Sequence, residues 1–237
     1  QLADNLANEM EANRHEFAGE FLDVHSAVEQ AMQLEGPVLL LDMGDNVGGG
    51  SPGDGTAIAH AVQLEAERSA QTCRAFACLV DPSAAYQARH AGVCSSIRLT
   101  MGGQIEWSQG RPVTAYVEVL SLHDGKFSET EVTHGGITEF DQGPTAVVQT
   151  DAGLTIMITS NRVPPFSLKQ MTAFGLSPAD FQIIVAKGVH APRAAYDSVC
   201  KHCLRVDTPG VTRADMTKLN YRYRRQPLFP FEELSDV

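Results

Sequence analysis

Asp42, Asp45 and Asp54 stand around three consecutive glycines, Gly48, Gly49 and Gly50, in the stretch LLLDMGDNVGGGSPGDGT at residues 39–56. Carboxylates in that arrangement suit hydrogen bonding to a cation, an amine or a hydroxyl, or they hold the loop through Asp-to-backbone turns. Consecutive glycines open φ values closed to other residues and let backbone N–H groups converge on an anion or a carbonyl oxygen. The stretch follows an apolar run and precedes a helical pattern, which is where sheet-based folds bind ligands. A binding site and an elaborate structural turn are equal alternatives at this point. A phosphate cradle is disfavoured: no Lys-Ser/Thr follows the glycines, GGGSPG lacks the Gly-x-Gly-x-x-Gly order, and the carboxylates would repel phosphate.

A second constellation, AKGVHAPRAAY, places Lys187, His190 and Arg193 after the apolar run FQIIVA. If that run and PVLLLDM form parallel neighbouring strands, both loops share one edge of the sheet. His190 could then act as a proton donor, a metal ligand or an orienting group near Asp45, with a hydrogen-bonded structural histidine as the plainer reading. TSNRVPPF at residues 159–166 closes another strand and offers Asn161 and Arg162 to a substrate carboxylate, a surface loop being the equal alternative. The other histidines, His15, His25, His60, His90, His123, His134 and His202, form no His-x-His or His-x-x-x-His pair, so the chain has no self-contained zinc motif. CKHC at residues 200–203 has the spacing of a redox pair or half a zinc site. No second such pair exists, and plain structure is the favoured reading.

These loops need elements to position them. Leu2, Leu6, Met10, Phe17, Phe21, Val24 and Val28 recur at helical spacing and predict an amphipathic helix or a broken pair of helices before Gly36-Pro37. PVLLLDM reads as a strand buried on both faces in a parallel sheet. Thr56 is placed to cap a helix AIAHAVQLEAERS, and QTCRAFACLVD returns as a second strand closed by Asp81-Pro82, completing a βαβ unit. SAAYQARHAG adds a helix and CSSIRLTMGG a strand. From Gln104 to Arg162 the pattern alternates, with hairpin-type turns at Asp124-Gly125 and Asp151-Ala152-Gly153. Helix SLKQMTAFG, strand FQIIVAKG, helix RAAYDSVCKH and strand CLRVDTPG follow, before a proline-rich tail from Asn220. The expected fold is α/β: a mixed sheet with flanking helices and a β-rich insertion in the middle.

The bulk properties narrow the function. The 237 residues carry a formal net charge of -11, a field that repels polyphosphate, so nucleic acid is not an expected partner. The basic run YRYRR near the end reads as a solvated or interface-lining face. No apolar run approaches the roughly 20 residues that cross a bilayer, so no membrane span is expected. Five cysteines without a regular framework argue for reduced thiols in a cytoplasmic setting. The chain enters a helical pattern directly at Gln1, without Met or a signal sequence, so it is expected to be part of a longer polypeptide. Residues 1–36 then read as a helical linker from an N-terminal domain, and 37–237 as an α/β domain.

DMGDNVGGGSPGDGT, followed in order by DPSAAYQARHAGV, LTMGG, GRPV, TSNRV, GLSPADFQIIVAKGVHAPRAAY, VDTPGV and LNYRYRRQPLFPFE, resembles the C-terminal region of the microcystinase C family of metallopeptidase-like proteins from residue 37 to about 231. The resemblance implies a zinc-dependent hydrolase of peptide or peptide-like amide bonds. Most or all zinc ligands are expected on an N-terminal metal-binding domain of the same polypeptide, and this domain would complete the substrate cleft. On that reading Asp45 and His190 are the catalytic candidates. Asp42, Asn46, Gly48, Gly49, Gly50, Asp54, Thr56, Asn161, Arg162, Lys187 and Arg193 are the substrate-binding ones, with metal ligands in this chain unassigned. Three departures weaken any inference about substrate: Val47 where the family has Pro, His190-Ala-Pro-Arg193 where it has His-Phe-Arg, and PLFPFE where it has Pro-Leu-Asp-Pro. The alternative, from a different class, is a non-catalytic binding or assembly module with an architectural glycine loop. The sequence leaves homo-oligomer formation open.

Overall fold

A computed structural model describes residues 1–69, 72–105, 110–131 and 134–232. The run PVLLLDM becomes β1 (Val38–Asp42), buried along its whole length. It pairs in parallel with β9 (Ile183–Ala186) on one side and β10 (His202–Val206) on the other. An uninterrupted apolar run is what a strand covered on both faces requires, because each successive side chain enters a different half of the core. Val38 and Leu40 join one cluster, Leu39 and Leu41 the other.

The sheet has eight strands in the order β10-β1-β9-β2-β8-β7-β4-β3. β2 (Ala75–Val80) runs parallel to β9 and β8 (Leu154–Thr159), while β7 (Thr145–Thr150), β4 (Val113–His123) and β3 (Ser96–Met101) continue antiparallel beyond β8. One face is covered by α2 (Val24–Gln33), α3 (Ala57–Ser69) and α4 (Pro82–Ala91), whose alanine-rich faces pack close to the strands. The other carries the short helices α5 (Lys169–Thr172) and α6 (Arg193–Tyr196) and a separate ribbon of β5 (Lys126–Ser128) and β6 (Glu139–Asp141). Phe127 and Phe140 stack across that ribbon at 4.7 Å, and Phe127 meets Phe174 edge-on. This is the mixed α/β sheet with a β-rich middle that the sequence predicts.

Several local expectations change. The N-terminal pattern resolves into α1 (Leu2–Ala12), a 3-10 turn at Arg14–Phe17, and α2. α2 buries Ala27, Val28 and Ala31, whereas α1 buries nothing and leaves Leu2, Leu6 and Met10 more than half exposed. Asp124-Gly125 turns the chain, but β5 pairs with β6 while β4 pairs with β3 and β7, so no hairpin closes there. Asp151-Ala152-Gly153 does close the β7–β8 hairpin. The helix expected over RAAYDSVCKH stops at Tyr196; beyond it the Val199 and Cys200 N–H groups share the Tyr196 carbonyl, and the Ser198 hydroxyl donates to the Ala195 carbonyl at 3.2 Å. SLKQMTAFG likewise keeps only four helical residues. The expected second strand begins at Ala75, and of QTCRAFACLVD residue 71 lies outside the described residues. Of the segment 104–162, residues 106–109 and 132–133 do so too.

Asp81 ties two elements together. Its Oδ1 accepts the Ala84 N–H at 2.9 Å as the N-cap of α4, and its Oδ2 accepts the Gly102 N–H at 3.0 Å from the turn after β3. Asp81→Ala removes a cap and orphans a buried amide, so it is expected to cost about 2 kcal/mol. Thermal unfolding followed by circular dichroism should show Tm lower by about 4–8 °C.

Candidate functional site

β1 and β9 are parallel neighbours, so the chain leaves the sheet at Asp42 and at Ala186 on the same edge, as the paired-loop argument requires. Lys187, the residue after β9, folds its side chain back under the glycine loop. Its Nζ lies 3.0 Å from Asp42 Oδ2, 2.7 Å from Asp45 Oδ2 and 2.7 Å from the Gly55 carbonyl oxygen. Three acceptors satisfy the three donors of an ammonium. Lys187, Asp42 and Asp45 are 5%, 2% and 1% exposed, so these charges are almost fully removed from water. The remaining acceptor positions are filled by loop amides and by Thr208 from the segment after β10. Asp45 Oδ1 accepts the Gly53 N–H at 2.8 Å and Oδ2 the Gly55 N–H at 2.7 Å. Asp42 Oδ1 accepts the Thr208 hydroxyl at 2.5 Å and the Asp45 N–H at 3.3 Å.

Burial alone would push the Asp45 carboxyl up, but the Lys187 ammonium and the two loop amides override it and hold the group below the usual carboxylate range. Burial would likewise push Lys187 down, and the two carboxylates reverse that, holding it above the ordinary lysine value. The charged forms are therefore the resting forms.

On this base the crest of the loop is exposed. Val47–Gly49 makes one 3-10 turn, the Val47 N–H donates to the Lys187 carbonyl at 3.3 Å, and Gly50 sits at φ +97°. Side chains approach the loop closely at two of the glycines. A Cβ on Gly48 would meet the Phe166 ring at 3.0 Å, and one on Gly49 would meet the Asn46 side-chain amide at 2.8 Å. The Asn46 amide makes no hydrogen bond among the described residues, while its backbone N–H is fixed by the Thr212 hydroxyl oxygen at 2.9 Å. Arg162 clamps the far side, donating from Nη1 to the Gly50 and Ser51 carbonyls at 3.2 and 3.1 Å.

The remaining predicted residues lie further off. Asp54 is fully buried and accepts the Gln104 and Ile105 N–H groups at Oδ2, at 2.8 and 2.7 Å. The Thr56 hydroxyl donates to the Arg111 carbonyl at 2.7 Å rather than capping α3. Both residues fasten the segment after β3 to the loop. Asp54 Oδ1 and Ser51 Oγ are buried without a partner among the described residues, where most such atoms are satisfied. The Asn161 side chain donates to the Asp141 carbonyl and so braces the β6–β7 connection. His190 is exposed and makes no hydrogen bond to the aspartates among the described residues, and Arg193 pairs with Asp197 at 2.9 Å. Both line a groove on the face of α6.

Two residues at the crest gave no signal in the sequence. Phe166 covers Gly48, and the exposed His134 packs edge-on against Phe166 at 4.8 Å. His134 reaches the loop only because the β5–β6 ribbon carries it there. Thr208 and Thr212 were visible within VDTPGV and the residues after it but carried no recognisable role. Among the described residues no three His, Cys, Asp or Glu side chains converge as a metal site, and the loop aspartates are committed to Lys187 and to backbone amides. The described side chains therefore do not fit a zinc ion.

Fold and site together define a mixed α/β domain with a glycine-loop site built at the ends of two adjacent parallel strands. The chain belongs to the family described as MlrC C-terminus, which it matches over residues 40–223. It is 24% identical to microcystinase C of a Sphingomonas species over 196 residues, which is 83% of this chain and 36% of that protein. A solved structure from Mesorhizobium sp. BNC1, named as a candidate metallopeptidase, superposes with a TM-score of 0.81 at 25% identity. That match takes in 98% of this chain and 45% of the other. The chain thus spans less than half the length of either relative. Among the described residues no helix is long and apolar enough to cross a membrane.

Proposed function

We propose that this chain is the C-terminal part of a zinc-dependent hydrolase of peptide-like amide bonds and that it forms one wall of the substrate cleft, with the zinc ligands supplied from outside it. The observation that carries this reading is the exposed Gly48–Gly50 crest, held rigidly over a buried ammonium at the ends of β1 and β9. The names of the two relatives, microcystinase C and a candidate metallopeptidase, support the reaction class.

In this proposal Asn46 and the glycine backbone contact the substrate, since a polar amide without an internal partner beside an exposed turn is free to bind one. Asp42, Asp45 and Lys187 are positioning residues: they set the crest without facing the substrate. Arg162 fixes the crest from outside, Asp54 and Thr56 from beneath. His190 is the one histidine on the loop after β9 and is assigned to proton transfer at the cleft's rim.

Asn46→Ala and His190→Ala in the intact protein should each lower kcat/KM for zinc-dependent peptide hydrolysis by about tenfold to a hundredfold. Tm should be unchanged within a few degrees, because neither side chain is buried with a partner. Unaltered kinetics in both variants would overturn the cleft reading. The internal commitment of Asp42 and Asp45 favours a second reading, an architectural loop in a binding or assembly module. That reading predicts that loop variants lower Tm and leave the chemistry of the folded molecules intact.

A further inference from the structure

The sheet edge at β10 carries a feature that the strand-end site does not absorb. β10 and the segment 190–201 enclose a groove of about 660 Å³ walled by His190, Arg193, Lys201 and Arg205. That volume falls within the range of small-molecule sites, about 300–1,000 Å³. A chain of net charge -11 has gathered three permanent cations there.

Their pairing is incomplete. Arg193 is held by Asp197, with Nε at 3.1 Å and Nη2 at 2.9 Å from Oδ2, and Lys201 by Glu35. Both pairs lie about half exposed or more, where an ion pair is weak and readily exchanged. Arg205 is half-buried, and its guanidinium has no acceptor among the described residues; a Cβ placed on Gly19 would lie 3.8 Å from one Nη. A guanidinium keeps its charge at every accessible pH, and partly desolvated donors without acceptors are costly. The two thiols in the groove supply no counter-charge. Burial pushes Cys203 up even between Arg193 and Arg205, and burial together with neighbouring negative charge pushes Cys200 up to about 12.

We propose that this groove is an oxyanion-binding site for a small carboxylate- or phosphate-bearing ligand, gripped by the Arg205 fork with Arg193 and Lys201 as flanking cations. Planar arginine forks match the paired oxygens of both groups. His190 also stands at the rim invoked in the hydrolase reading, but the anion site rests on Arg193, Lys201 and Arg205, and its test reads binding without hydrolysis.

The test is isothermal titration calorimetry on the intact protein in low-salt buffer, with inorganic phosphate in one arm and succinate in the other. Saturable binding of either supports the proposal, and the arm that binds more tightly identifies the source of the oxyanion. Arg205→Gln should weaken binding about tenfold, the effect of losing a charge-assisted fork. Asp197→Asn, which removes a repelling carboxylate and frees Arg193, should tighten it about threefold. Lys201→Gln should weaken it about threefold, giving a second variant should Arg205→Gln fail to fold. No saturable binding in either arm, or Arg205→Gln and Lys201→Gln both binding as the wild type does, would overturn the assignment.

Discussion

Lys187→Met is expected to be among the most destabilising substitutions in the chain, at about 3–5 kcal/mol, because it strands two buried carboxylates without their cation. The methionine fills most of the space of the lysine stem, so the loss isolates charge rather than volume. For a domain of this size the change corresponds to a fall in Tm of about 6–20 °C. Adding Asp42→Asn and Asp45→Asn should recover part of it, since a neutral cluster no longer holds an unpaired charge. Urea denaturation of the single and triple variants checks both statements. A single variant within 1 kcal/mol of the wild type would mean that the cluster is solvated in solution.

The same cluster fixes a pH dependence. Asp45 is held below its ordinary value, so its contribution is present above the unfolded carboxylate range and is lost only as pH falls through the lower folded value. Lys187 is held above its ordinary value, so its contribution is complete below the unfolded lysine value and is lost only as pH rises past the folded one. Across the neutral range both contributions are intact, and these groups give the wild type a flat profile. In Lys187→Met, burial without the cation pushes the Asp45 carboxyl up, and it takes up a proton as pH falls from neutral. The stability gap between wild type and variant should therefore be widest near pH 8 and narrow toward pH 5.

Part of this was legible in the sequence, and the division has a physical cause. β1 was readable because a strand buried on both faces must be apolar at every position, and Gly36-Pro37 and the glycine loop bound it without ambiguity. The shared edge of the two loops followed from the general rule for parallel neighbours. That β1 and β9 actually adjoin is a fact of topology that neither segment encodes alone. Lys187 shows the limit most clearly. It lies 145 residues from Asp42, so a cation after a strand looked like a substrate contact until the fold closed it under the loop. His134 and Phe166 were invisible for the same reason. At Asp124-Gly125 the turn chemistry was right, with Gly125 at φ +84°, but strand pairing is decided by which ribbon covers Phe127, and no local rule reports that. The stripe Leu2, Leu6, Met10 is a genuine helical period, yet it faces no core within these residues.

Gly44→Ala is expected to do damage of comparable size through geometry alone. A Cβ there would lie 2.1 Å from the Thr208 carbonyl oxygen, 2.7 Å from the Thr208 hydroxyl and 2.8 Å from the Pro209 carbonyl. The obstacles are mainly backbone, and the backbone is tied. The Gly44 N–H donates to the Thr208 hydroxyl at 2.8 Å, and the Gly44 carbonyl accepts the Thr212 N–H at 3.2 Å. Relief requires the loop after β10 to move away from the loop after β1, which pulls the Thr208 hydroxyl off Asp42 and loosens the cluster from its other side. Packing errors that a core cannot absorb cost about 1–3 kcal/mol or more, and the lost hydrogen bonds add to this, so the total should exceed about 4 kcal/mol. Gly50→Ala is the matched control. Gly50, unlike Gly44, adopts a left-handed backbone, at φ +97°, and a Cβ there meets nothing within 4 Å. Its cost should be limited to the left-handed penalty of about 1–2 kcal/mol. Side-by-side melts of the two variants separate close backbone approach from conformational strain, and Gly44→Ala melting at or above Gly50→Ala would show that the β1 and β10 loops are free to part.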